Sequence, residues 1–525
     1  MLKTELNVRG ISRHYNAAFN FIDENINKGL GDKVAIYYKD EEITYKQLQN
    51  KVNQFGNALK NLNIENENRI LLLCYDSPEF IVSFFGSVKV GAVPIPVNSM
   101  MQPTDYEYFL NNSRAKVLVV HEELWENIKH LRDRFYFLKD VIVISESAIT
   151  GVDVIDYHEL VNKASTTLSP FLTTQDDPAF WLYSSGSTGN PKGVIHLQKN
   201  MESAFQNYAK NIIEMTEDDI TFSASKLFFA YGLGNGMYFP LGAGGSTVLM
   251  PERPLPENVL DAIEKYKPTI FFGVPTLYGA MINHIKTSDK SYDLSSIRVC
   301  VSAGEALPDT FVKQWKELFG LDILDGIGST EALHIYLSNK EGAIKEGSSG
   351  RAVPGYDVKI VNEQSVPVSD NEIGDLIIKG DSIASGYWNN SSESKKKFNG
   401  EWLYTGDKYY KDEDGYYWYC GRSDDMLKVG GIWVSPVEIE NCLIKNDKVL
   451  EVAVIGVKND NNLEQPKALI VLKEGIAPTD ELKAELKAYV KEHLAPYKYP
   501  RIIEFISDLP KTPTGKIQRF KLRNS

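Results

Sequence analysis

The stretch RILLLCYDSPEFIVSFFGSVKVGAVPIPV, residues 69–97, decides the fold. The aliphatic run at 69–74 reads as a strand, residues 77–90 as a helix and AVPIPV at 92–97 as a second strand, since a buried strand is a short apolar run and a helix a longer one. The same rhythm returns in KPTIFFGVPTLYGAMINHI (267–285), in SIRVCVSAGEALPDTFVKQWKELFG (296–320) and in the strand-like LDILD that follows. Strands alternating with helices predict parallel sheets covered by helices, an α/β fold. In such sheets ligands collect at the carboxyl ends of the strands, where glycine-rich turns lead into helices.

Further along, the texture changes. From about residue 350 short alternating strands are broken by Gly, Asp and Asn, as in GYDVKIVNEQSVPVSDNEIGDLIIKG (355–380), which predicts a small antiparallel β subdomain over about 345–420. After GRSDDMLKVGG (421–431) come VLEVAVIGVK, QPKALIVLKEG, the helix-like TDELKAELKAYVKEHL and RIIEFISDLP, a small α+β domain hung on a glycine-rich turn. A chain of 525 residues exceeds what one core of roughly 250–300 residues holds. The expected division is a large N-terminal domain, 1–422, and a C-terminal domain, 423–525. No internal repeat or low-complexity segment interrupts it.

Composition narrows the function classes. With 43% hydrophobic and 24% charged residues the chain has the make-up of an ordinary globular protein. A formal charge of -13 offers no basic footprint for nucleic acid or an anionic membrane, so neither is an expected partner. Four cysteines, Cys74, Cys300, Cys420 and Cys442, stand apart with no CxxC pair or zinc-ligand spacing. The N-terminus lacks the apolar core of a signal peptide, and no apolar run reaches about 18 residues. A reduced, cytoplasmic protein is expected. Lys395, Lys396 and Lys397 read as a solvated face.

The chemistry begins at YSSGSTGNPKG, residues 183–193, directly after the apolar AFWL. Successive backbone N–H groups in a glycine-rich turn form a concave nest for anionic oxygens, and the hydroxyls of Ser184, Ser185, Ser187 and Thr188 add donors. Phosphate is the natural guest. Pro191 before Lys192 and Gly193 after it depart from the Walker A pattern. A flexible surface loop is the competing reading of such a stretch taken alone.

Four more segments follow in order: GIGSTEALH (326–334), EWLYTGD (401–407), GRSDDMLKVGG (421–431) and PKTPTGKIQR (510–519). Together with the loop they resemble the signature motifs of the acyl-adenylating enzymes, which include acyl-CoA synthetases, adenylation domains and luciferases. The resemblance covers almost the whole chain. KLFFAYGLGNGMYFPL, VSAGEALP and STEALHIYLSN are similar, more narrowly, to the benzoate-CoA ligase branch. The implied activity joins an aromatic acid to AMP from ATP and passes the acyl group to CoA, with Mg²⁺ as cofactor. A separate phosphopantetheinyl carrier protein stays open as alternative acceptor, and a second copy of the chain as partner.

The resemblance also implies roles. Ser184, Ser185, Gly186, Ser187, Thr188, Gly189 and Lys192 would grip the phosphates, with Lys192 screening product charge. Ser302, Ala303, Gly304 and Glu305 would wall the adenine, and Asp325, Gly326, Ile327, Gly328 and Ser329 would also bind ATP or AMP. Thr330 would face the α-phosphate, and Glu331 with Thr188 would hold Mg²⁺, which favours one or two carboxylates plus phosphate oxygens. A Glu beside a Ser/Thr cap at a helix start is the bland alternative. Asp407 would accept the ribose hydroxyls and Arg422 would add a donor, although aspartate also caps turns routinely. Lys516 would reach the substrate carboxylate and the ribosyl-phosphate bridge. Asp424 would be the hinge of a mobile C-terminal lid, whose Lys428, Gly430 and Gly431 would line the CoA channel. Phe229, Ala230, Tyr231, Gly232, Gly328, Leu333 and His334 would form a flat acid pocket, with Tyr231 and His334 open as partners for a ring hydroxyl or amino group.

Overall fold

The computed structural model describes residues 13–147, 153–184, 190–305, 307–423, 425–429, 432–459, 464–495, 498–511 and 517–523. The chain forms two compact units, one of Met1–Ile344 with Ala352–Asp357 and Lys379–Leu403, the other of Lys345–Arg351 with Val358–Ile378 and Tyr404–Ser525.

In the first unit the opening stretch folds as expected into strand Arg69–Leu73, helix Pro78–Lys89 and strand Val93–Pro96. These two strands are parallel neighbours at one side of a five-stranded sheet continued by Val117–His121, Asp140–Ile144 and Ile155–Asp156, all in parallel. Helix Pro78–Lys89 is buried almost throughout, which is why its sequence is apolar on every side. Its last residue, Lys89, is fully buried and is held by both carboxylate oxygens of Asp23 (2.7 and 2.6 Å) and by Asn53 Oδ1 (2.6 Å). Burial pulls the ammonium down from its ordinary range, and Asp23 opposes that shift.

A second, nine-stranded sheet carries parallel strands Ile323–Gly328, Val299–Ser302, Ile270–Gly273, Ile220–Ser223, Ser246–Leu249 and Val34–Tyr38 in that spatial order. Its core packs Phe222, Phe271, Tyr278 and Trp315 under helices Pro256–Tyr266, Pro275–Thr287 and Asp309–Phe319.

The glycine-rich segment of YSSGSTGNPKG joins strand Pro178–Ser184 to the antiparallel strand Lys192–Leu197, with Gly386–Tyr387 as third strand. Both flanks of this hairpin are largely buried.

The antiparallel strands predicted after residue 350 are present, with Gly374–Lys379, Trp402–Lys411 and Tyr417–Arg422 paired in one sheet that belongs mostly to the second unit. Beyond them, strands Val449–Lys458, Glu464–Leu472 and Ile502–Phe505 form a three-stranded sheet covered by helices Pro436–Leu443 and Asp480–His493. Thr479 caps the longer helix by accepting from Leu482 N, and Leu482, Leu486 and Val490 bury its apolar stripe. All four cysteines are buried and unpaired. Burial raises every thiol, those of Cys300 and Cys420 to about 12.

Candidate functional site

In the first unit, strand Ile323–Gly328 ends at Ser329, whose Oγ accepts from Ala332 N and starts the short 3-10 turn Thr330–Ala332. That turn presents Glu331, only 8% exposed, to the strand that leads into the loop: Ser184 Oγ donates to Glu331 Oε1 at 3.2 Å and Tyr387 Oη to the same oxygen at 2.8 Å. Burial pushes the Glu331 carboxyl up, but the Lys397 ammonium and these hydrogen bonds outweigh it and hold the group below the usual glutamate range. Glu331 is thus ionised at neutral pH although nearly buried. Its Ser329 cap fulfils the bland reading of this Glu, and the convergence of Ser184, Tyr387 and Lys397 goes beyond it.

Lys397 overturns part of an expectation. Lys395 and Lys396 are exposed, whereas Lys397 is half-buried and its charge acts on Glu331. Two further residues hold the turn in place. His196, buried and stacked on Phe180 at 5.0 Å between ring centres, donates from Nε2 to the Thr330 carbonyl (2.9 Å). Burial lowers its pKa to about 4, so the ring is neutral. The backbone N–H of Ala384 donates to the Glu331 carbonyl at 2.8 Å.

Lys192, at the far end of the loop, lies over the Tyr387 ring (5.3 Å) and pairs with Glu393 at 2.8 Å. A hydrogen bond from Lys192, with another from Lys396, holds the Glu393 carboxyl down at about 2. The pair lines a polar cavity of about 410 Å³ together with Tyr108, Asn112, Asn190 and Trp388. Ser185, Gly186, Ser187, Thr188 and Gly189 lie outside the described residues.

The residues expected to bind the nucleotide lie at two strand ends. Ala303, Gly304 and Glu305 follow strand Val299–Ser302, and Asp325, Gly326, Ile327 and Gly328 lie on its parallel neighbour. Burial raises the Asp325 carboxyl well above the carboxylate range, and its Oδ1 is sealed from solvent without a hydrogen-bond partner among the described residues.

The expected acid-pocket residues also come together. Phe229 precedes the helical turn Ala230–Leu233, and Leu333, at φ 69°, reverses the chain so that His334 lies against Tyr231 at 5.6 Å between ring centres. A β-carbon on Gly232 would stand 2.1 Å from the Lys226 carbonyl oxygen and 2.4 Å from that of Ser225, so only glycine fits there. The Tyr231 hydroxyl is directed at the carbonyls of Gly273 (3.3 Å) and Val301 (3.4 Å). His334 is buried among Phe239, Tyr208 and Tyr231, its Nε2 lies 3.0 Å from Asn235 Oδ1, and burial lowers its pKa to about 3. Asn235 lies inside KLFFAYGLGNGMYFPL, but the sequence assigned it no role.

In the second unit Asp407 is buried beside Arg422, whose Nη1 donates to Asp407 Oδ1 at 3.0 Å. The glycine before it does not end an element: Gly406, at φ 79°, bends the continuous strand Trp402–Lys411, and its carbonyl accepts from Ser423 N. Asp424, Gly430, Gly431, Lys516 and the Lys428 side chain lie outside the described residues. Arg519 is clamped by Glu440 (2.7 Å) and faces Asp425 (3.9 Å). Burial lowers the guanidinium, but these two carboxylates outweigh it and keep it firmly charged.

Among the described residues no group of three or more His, Cys, Asp or Glu side chains gathers as a metal cage. A single ionised, buried carboxylate is nevertheless the donor set that suits magnesium, which completes its shell with phosphate oxygens and water. Glu331 fits it.

A family model described as "AMP-binding enzyme" matches residues 23–388, and one described as "AMP-binding enzyme C-terminal domain" matches 438–516. The benzoate–CoA ligase of Thauera aromatica is 45% identical over 98% of this chain and 97% of its own length. The 4-hydroxybenzoate–CoA/benzoate–CoA ligase of Rhodopseudomonas palustris is 41% identical over 97% and 94%. The crystal structure of the anthranilate CoA ligase AuaEII in complex with anthranoyl-AMP superimposes with a TM-score of 0.91 at 44% identity, covering 98% of both chains. With both family models in sequence order and full-length relatives at this identity, the chain belongs to the AMP-binding enzyme family.

Proposed function

We propose that the chain is an AMP-forming aryl-CoA ligase that activates benzoate or a small substituted benzoate. An oxygen of the acid attacks the α-phosphorus of ATP and the bond to pyrophosphate breaks. The CoA thiol then attacks the acyl carbon and AMP leaves. The observation that carries this reading is end-to-end likeness to benzoate–CoA ligases; the packing of Tyr231 against His334, both read as acid-pocket residues, supports it. Those relatives are named for CoA, so CoA is taken as the acceptor over a carrier protein.

In this reading Glu331 holds Mg²⁺, which when bound spreads the charge of the phosphate oxygens. Ser184 and the loop through Thr188 orient the phosphates, Asp325 meets the nucleotide, and Asp407 with Arg422 meets the ribose. Lys516 brings its charge to the attacking oxygen. Residues 423–525 act as a lid that turns at Asp424, withdraws Lys516 and brings Lys428, Gly430 and Gly431 to the pantetheine arm. We place the protein in the cytoplasm, in keeping with its unpaired cysteines; no helix among the described residues is long and apolar enough to cross a membrane.

The test is AMP release with ATP and Mg²⁺ across aromatic, alicyclic and aliphatic acids, followed by thioester formation with CoA against a pantetheinylated carrier. Benzoate and its small derivatives should head the panel with CoA as acceptor. If no aromatic acid releases AMP, the reading fails. Gly232→Ala should raise KM for benzoate about tenfold or more while leaving KM for ATP nearly unchanged, because the new methyl must displace the carbonyls of Ser225 and Lys226.

A further inference from the structure

Asp76 sits between strand Arg69–Leu73 and helix Pro78–Lys89, and it is 4% exposed. Nothing in the reaction described above uses it. We infer that Asp76 is a positioning residue that fixes the wall of the acid pocket through Lys226 and Leu227, an inference that rests on the aryl-acid reading of that wall.

The geometry runs in one unbroken line. Leu227 N donates to Asp76 Oδ1 at 3.0 Å across 151 positions of sequence. The Lys226 ammonium lies 3.8 Å from Asp76 Oδ2 and also donates to the carbonyls of Met250 and Glu252 (2.7 Å to the latter). Residues 226–227 are therefore pinned on one side by the strand end and on the other by the segment after strand Ser246–Leu249. The pinned backbone is what the acid wall rests on: Phe229 N donates to the Lys226 carbonyl (3.0 Å), and Gly232 packs so closely on the carbonyls of Ser225 and Lys226 that no β-carbon fits between them. Any slip of Lys226 passes directly into the turn that carries Tyr231.

The carboxylate is an expensive way to make this link. Burial raises its pKa to about 6, opposed by Lys226 and the Leu227 N–H, so at neutral pH it is charged in a place that disfavours charge. Because the folded protein binds that proton more tightly than the unfolded chain, stability falls as pH rises from the unfolded value toward about 6. A charge held there against burial matches a role in holding Lys226.

Asp76→Asn keeps the acceptor for Leu227 and removes the charge. At pH 8 its melting temperature should equal or exceed that of the wild type, while KM for benzoate rises about tenfold and KM for ATP stays within about twofold. Lys226→Gln should raise KM for benzoate similarly, and the double variant should be no worse than either single one, since both act through one link. An unchanged benzoate KM in Asp76→Asn would overturn the inference, as would a joint rise of both KM values with a lower melting temperature. If Asp76→Asn does not fold, Lys226→Gln decides alone: an unchanged benzoate KM, or a rise shared with ATP, overturns the inference. Wild-type enzyme inactive on every aromatic acid would instead sink the aryl-acid reading itself.

Discussion

Glu331→Gln is expected to cut benzoate-dependent ATP–pyrophosphate exchange by about 100-fold or more, in the range seen when a group facing developing charge is removed. Glutamine preserves shape and an oxygen for Tyr387 and Ser184, so melting temperature should hold. What disappears is the negative charge that Lys397 and two hydroxyl donors keep ionised inside a buried site. Because magnesium binds through charge, raising its concentration should recover only part of the loss. Exchange that falls less than about fivefold would remove Glu331 from the metal and phosphate chemistry.

Lys516→Ala should be still more selective. We expect exchange to fall by about 1,000-fold while benzoyl-adenylate supplied to the variant still reacts with CoA, since the charge is needed where the acid oxygen and α-phosphorus meet and not in the thiol step. Measuring both half-reactions separately checks this. Equal losses in the two would mean that Lys516 serves general folding or nucleotide binding instead. Arg519, three positions on in the sequence, is clamped by Glu440 beside Asp425.

Much of this was legible in the linear chain. Strands buried on both faces read as continuous apolar runs, so residues 69–97 declared their strand, helix and strand directly. The motif order placed Glu331 and Asp407 and paired Tyr231 with His334. The hairpin nature of 178–197 was hidden because a strand buried on both faces has no alternation to distinguish antiparallel from parallel pairing. The partners of Glu331 were hidden for another reason: Tyr387 lies 56 positions away, and Lys397 ends a lysine triplet whose look is that of a solvated face. His196 and Asp76 were equally silent, since a lone buried His or Asp acquires meaning only from the carbonyl or N–H set against it.

The buried cysteines bear on the company such a catalyst keeps. A coenzyme that is itself a thiol circulates partly in oxidised form, and any accessible thiolate on the protein would be captured by it as a mixed disulfide. Cys74, Cys300, Cys420 and Cys442 are shut inside and remain protonated near neutral pH. The folded protein can therefore handle its sulfur-bearing partner repeatedly without being covalently trapped by it.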